Sequence, residues 1–174
     1  LGIQVTNGHV LLKAAGAGAD IQLDADVILT NGHLSLDAAQ DILQNADVTS
    51  QASGMTVDFL AGRVITQSQD NTNSITSTRS ISTSGGAVSL YATTGSITLE
   101  TIAAGAGNVR LVAGISILDG DTAGDTEVDI TAAGLMMAAL STSGSIGLSA
   151  NHIETTVATL AASSGSGGIY VTET

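Results

Sequence analysis

"TSGSIGLSAN", residues 142–151, is the stretch whose reading decides the fold. Ile146 and Leu148 are large apolar residues two positions apart, Ala150 continues the step, and Gly144 precedes them. Nearly the same phrase returns as NGHVLLKAA (7–15), NGHLSLDAA (31–39), GGAVSLYAT (85–93), TGSITLETI (94–102) and AGNVRLVAG (106–114). An apolar residue at every second position marks a strand with one buried face, because successive side chains point to opposite sides. The alternation extends through Val10, Leu12 and Ala14; Leu34, Leu36 and Ala38; Val88, Leu90 and Ala92; Val109, Leu111 and Ala113; and Val128, Ile130 and Ala132. Between them stand positions read as outward: Gln22 and Asp24, Ser35 and Asp37, Thr98 and Glu100, Glu127 and Asp129.

A longer period is superimposed. The tripeptide NGH recurs at a step of 24, and the apolar pairs from Val88 to Ile146 follow at steps of 21, 19 and 18. Each step holds two or three short strand-like runs. Such repetition is the signature of a solenoid, in which every coil buries its apolar face only by stacking on its neighbours. The expectation is an all-β protein, a parallel β-solenoid of about twenty residues per coil, roughly eight coils and ~40 Å long. The inward alanine fits the bend after each apolar pair, and the glycine before it is expected to supply a positive φ. His9 over His33 and Asn7 over Asn31 should form a ladder at a turn.

Composition agrees. Burial rests on aliphatic residues, since 43% of the chain is apolar yet it contains one Phe, two Tyr and no Trp. Proline is absent, as expected where nearly every N–H is needed by an adjacent coil. The absence of cysteine excludes disulfides and thiolate chemistry. Four basic against sixteen acidic residues give a formal charge of −12, which speaks against binding nucleic acid or anionic membranes. No apolar run is long enough for a membrane-spanning helix, so membrane insertion is not expected.

The clearest forms, GSITL, GNVRL and GSIGLSA, resemble the filamentous-haemagglutinin-like exoproteins and the giant repetitive surface proteins of Gram-negative bacteria. That resemblance implies a right-handed parallel β-helix serving as a shaft, placed at the cell surface or outside the cell. The chain, residues 1–174, then reads as one solenoid segment of a longer protein. Its partners would be neighbouring repeats of the same or identical chains, or a host or neighbouring-cell surface. A subunit of a self-assembling extracellular filament is the alternative reading, and a polysaccharide-active β-helix enzyme a minor one.

No catalytic or cofactor-binding constellation is recognisable: there is no nucleophile elbow, and Arg63, Arg79 and Arg110 are scattered. The densest acidic patch is LDGDTAGDTEVD, residues 118–129. Asp119, Asp121 and Asp125 would offer oxygens to calcium, with Gly120 and Gly124 allowing tight turns. The spacing departs from an EF-hand loop, so a solvated acidic turn is the competing reading. Asp20, Asp24 and Asp26 form a second, weaker cluster. Residues 65–86, rich in Ser, Thr, Asn and Gln, read as irregular polar coils or as a loop excursion that would carry a contact surface.

Overall fold

The computed structural model describes residues 2–68, 79–121 and 127–174. Among these residues there is no helix, and the chain winds into a parallel β-solenoid of about six turns with roughly 24 residues per turn. The first turn comprises β1 (Ile3–Val5), β2 (Val10–Ala14) and β3 (Ile21–Leu23). The second comprises β4 (Val27–Leu29), β5 (Leu34–Ala38) and β6 (Ile42–Gln44), and the third β7 (Val48–Ser50), β8 (Val57–Ala61) and β9 (Ile65–Gln67). Then come β10 (Ser80–Thr83), β11 (Val88–Ala92) and β12 (Ile97–Leu99), followed by β13 (Thr101–Ala103), β14 (Asn108–Ala113) and β15 (Ile117–Asp119). The remainder is β16 (Ile130–Ala139), β17 (Ser145–Ile146), β18 (Ile153–Ser163), β19 (Gly168–Ile169) and β20 (Val171–Glu173).

These strands make three faces, visited in the same order on each turn. Face I stacks β1, β4, β7, β10, β13 and the start of β16; face II stacks β2, β5, β8, β11, β14 and the end of β16. The unbroken β16 thereby joins the two faces in one sheet. Face III is a separate seven-stranded sheet from β3 to β19.

The interior is built of columns of like residues. On face II, Leu36, Phe59, Leu90, Leu111 and Met137 occupy one register position, and Ala38, Ala61, Ala92, Ala113 and Ala139 another. Face III stacks Ile21, Ile42, Ile65, Ile97, Ile117 and Ile146. Nearly all these side chains are inaccessible to solvent, and burying each large aliphatic one contributes about 1.5–3 kcal/mol. Val10 and Leu12, in the first turn, pack against this core half-buried.

Corners add a second device to the backbone bonds that continue between coils there. The residue just before a strand turns its side chain to the N–H of the corresponding residue one coil later. Before face I, Asp26 accepts from the Asp47 N–H at 3.2 Å and Asp47 from the Ser80 N–H at 2.9 Å. Before face II, Nδ1 of His9 accepts from the His33 N–H and Nδ1 of His33 from the Thr56 N–H. Before face III, Asp20 serves Asp41, Asp41 serves Val64, Ser96 serves Ser116 and Ser116 serves Ser145. The His9 and His33 rings lie 4.9 Å apart, and Asn31 donates to Asn7, so the expected NGH ladder is present. Asp41 also receives both a guanidinium Nε–H, at 2.8 Å, and an Nη2–H from Arg63. That pair holds the Asp41 carboxyl below its ordinary range.

Several expectations are corrected. The turn is nearer 24 than twenty residues, so there are fewer turns than eight. The short steps counted along the sequence mixed faces. Val109 pairs with Leu135, not with Val128, and Ile146 stacks on Ile117 in another sheet. Leu148 is not inward; it is 49% exposed, because positive φ at Gly147 turns the chain out of face III. Gly144 is required for a reason other than φ: a Cβ there would lie 2.1 Å from the carbonyl oxygen of Ile115 in the coil beneath. Glu100 and Asp129, read as outward, are each 1% exposed. Within residues 65–86, Ile65–Gln67 and Ser80–Thr83 are strands in register with their neighbours; residues 69–78 lie outside the described residues.

Two substitutions test this architecture. Leu111→Asp should cost more than about 3 kcal/mol, because it sets an unpartnered carboxylate in a filled aliphatic column. The neighbouring exposed position should tolerate Arg110→Ser within about 0.5 kcal/mol; equal melting curves for both variants would show the register to be wrong. Asp47→Ala should cost about 1–2 kcal/mol by leaving the Ser80 N–H without its corner acceptor, measured by urea denaturation.

Candidate functional site

The corner between face III and face I of the later turns gathers acidic side chains. β15 presents Ile117 inward, so Asp119, two residues on, occupies the next inward position, stacked beside Leu99 of β12. In earlier turns the same column holds Leu23, Gln44 and Gln67. Asp121 follows after Gly120, and its N–H donates to Asp119 Oδ1 at 2.9 Å. Asp129 stands immediately before β16, at the corner position that Asp26 and Asp47 hold below. It caps the next coil as they do, its Oδ2 accepting from the Glu154 N–H at 2.8 Å. Glu100, between β12 and β13, and Glu154, in β18, complete the buried acidic group.

One carboxylate oxygen each from Asp119, Asp121 and Asp129 lies within 4.8 Å of the others. The Asn151 amide closes the group from the next turn, donating to the backbone carbonyls of Asp119 at 3.5 Å and Asp121 at 3.3 Å. Asp129 Oδ1 is buried with no hydrogen-bond donor, and no donor reaches either oxygen of Glu100.

The electrostatic result follows from burial among like charges. Burial pushes the Glu100 carboxyl up to about 9, reinforced by the close Asp121 carboxyl and by the charges of Asp119 and Asp129. Asp129 is pushed up to about 8, again mainly by burial and further by Asp119, Glu154 and Asp121; the Glu154 N–H opposes this. Such a group either keeps protons or takes up a cation.

The expected calcium ligands are thus partly regrouped. Asp119 and Asp121 do converge, while Asp125 lies outside the described residues. Their partner is Asp129, which the two-residue alternation places outside. The signal that would have found it is its position, the residue before a strand, where a side-chain acceptor caps the coil above. Asp20, Asp24 and Asp26 do not act together. Asp20 and Asp26 serve different corners, and Asp24 accepts from Gln22 and Asn45. The histidines are ladder elements: His9 and His33 accept backbone N–H groups, and His152 Nδ1 lies 2.9 Å from Thr172 Oγ1. No helix among the described residues is long and apolar enough to cross a membrane.

Comparison with protein-family models, with curated proteins and with solved structures finds no match to the chain.

The buried acids set a pH dependence. Glu100 and Asp129 hold protons more tightly folded than unfolded, so their contribution is full below the ordinary carboxyl range. It is lost as the pH rises toward about 8 and about 9. In chelator-containing buffer the melting temperature should fall by about 5–10 °C between pH 5 and pH 9. Glu100→Gln with Asp129→Asn should flatten that slope; a parent profile already flat over this range would refute the assignment.

Proposed function

We propose that the chain is a structural shaft of a bacterial cell-surface or secreted protein, spacing or presenting regions that make adhesive or cell-to-cell contact. One observation carries this reading: an unbroken interior lies beneath sides whose chemistry does not repeat. The aliphatic columns pass through turn after turn in register. The outward column of face II, by contrast, runs Lys13, Asp37, Leu60, Tyr91, Val112 and Ala138. A surface of repeated recognition, such as a flat array of one residue type, would keep its outward column constant. The columns kept constant here are those that hold coils together.

The resemblance of GSITL, GNVRL and GSIGLSA to filamentous-haemagglutinin-like exoproteins supports the same reading, as does the charge of −12, which keeps a long repetitive surface soluble. Placement outside the cell or on its surface belongs to this proposal.

Electron microscopy and small-angle scattering of the purified chain should show single short rods. Incubation with acidic and neutral polysaccharides should release no reducing or unsaturated ends. Turnover that disappears when Asp121 is replaced would establish an enzyme instead. Ordered fibres formed by this chain alone would make it a filament subunit.

A further inference from the structure

We propose that Asp119, Asp121 and Asp129 form a calcium site that ties the end of β15 to the start of β16. The three donor oxygens already converge within 4.8 Å. Calcium takes its oxygens at 2.3–2.6 Å, so ligands on opposite sides of one ion stand up to about 5 Å apart. The ion therefore spans this group with little movement of the chain.

Asp129 supplies the observation that points to a ligand. It is 1% exposed. Its Oδ2 is used by the Glu154 N–H, which fixes the carboxylate plane. Its Oδ1 is left buried, facing no donor, within a cluster of other acids. A buried polar atom without a partner is costly, and a carboxylate oxygen among carboxylates has only a proton or a cation to satisfy it. Glu100 repeats the pattern with both oxygens. It approaches so closely that a Cβ on Gly120 would stand 2.7 Å from Glu100 Oε1. The glycine between Asp119 and Asp121 therefore leaves room for a fourth carboxyl group beside the three.

Charge gives a second line. Asp41 shows how this solenoid treats a buried corner aspartate elsewhere: Arg63 covers it with two hydrogen bonds. At Asp129 the neighbouring charges that act on the carboxyl are Asp119, Glu154 and Asp121, all acidic. A divalent cation takes the place that Arg63 fills in the earlier turn. The donors are all oxygen, which suits a hard cation rather than zinc or copper. Three or more carboxylates suit calcium over magnesium. Magnesium demands near-ideal octahedral geometry, which carboxylates at this irregular spacing do not offer, whereas calcium accepts flexible sets of six to eight oxygens.

The test uses the whole chain, stripped with EDTA and exchanged into chelated buffer at pH 7.5. Calorimetric titration with calcium chloride should show one saturable site per chain. Millimolar calcium should raise the melting temperature by several degrees, and magnesium chloride at the same concentration should have a much smaller effect. Asp129→Asn should weaken calcium binding at least tenfold. Without calcium this variant should melt no lower than the parent at pH 7.5, because it replaces an acid that must take up a proton or bury its charge on folding; that result separates lost ligation from misfolding. Asp119→Asn should behave alike, and the acidic control Asp58→Asn, on the outer side of face II, should bind as the parent does. The site is overturned if calcium gives neither a saturable heat nor a melting shift. It is also overturned if Asp129→Asn and Asp119→Asn, each still folded, bind as tightly as the parent. An equal response to magnesium would overturn the assignment to calcium.

Discussion

Outside a few tight turns the backbone N–H groups of a coil find their acceptors in adjacent coils, and the rest of the structure is arranged around that requirement. Within a face the parallel ladder meets it. At a corner, backbone bonds between coils continue in part, but the N–H of the residue before the strand is met by a side chain. That is why the residue before a strand is so often Asp, Ser or His: these are compact side chains whose acceptor atom sits close to the backbone. The same requirement accounts for the absence of proline, which would remove a donor. It also accounts for Gly144, where the carbonyl of Ile115 comes so near that no side chain fits. Once the backbone contacts are set at this distance, like residues fall on like residues. The columns of Ile, Leu and Ala are the result.

The corner device has an electrostatic side. An aspartate that caps the coil above is drawn inward, where its charge is expensive. Asp41 is relieved by Arg63, and its carboxyl titrates low. Asp129 makes the equivalent contact but shares its corner with Asp119, Asp121, Glu100 and Glu154, and it titrates high. One backbone contact, made by the same residue type, thus gives opposite protonation behaviour. The difference lies in how deeply the side chain is buried and in what stands beside it.

Much of this was legible in the sequence, for a definite reason. Val88–Ala92 and Val109–Ala113 repeat without insertion, so the inward set Val, Leu, Ala declares itself and its stacking follows. NGH at a step of 24 likewise pointed to the His9–His33 ladder. What alternation cannot express is the face to which a strand belongs. Val128 and Ile146 match the pattern of Val109 yet lie on neither its column nor its sheet. Alternation also says nothing of corners. Asp129 and Glu100 obey outward parity relative to their apolar neighbours, but a corner residue is covered by the coils above and below it. Turns of unequal length hide this further: the Asp47–Ser80 contact spans 33 residues and the Ser96–Ser116 contact only 20.

The corner caps described here share one sense: acceptor in the earlier coil, N–H in the later. A formed coil therefore offers its successor fixed side-chain acceptors at all three vertices, beyond the backbone bonds that adjacent coils exchange in both directions. The solenoid is in this respect a template with an arrow. Order should advance more readily from the N-terminal turns toward the C-terminal ones than backwards, each turn serving as the mould for the next as the polypeptide is delivered amino end first.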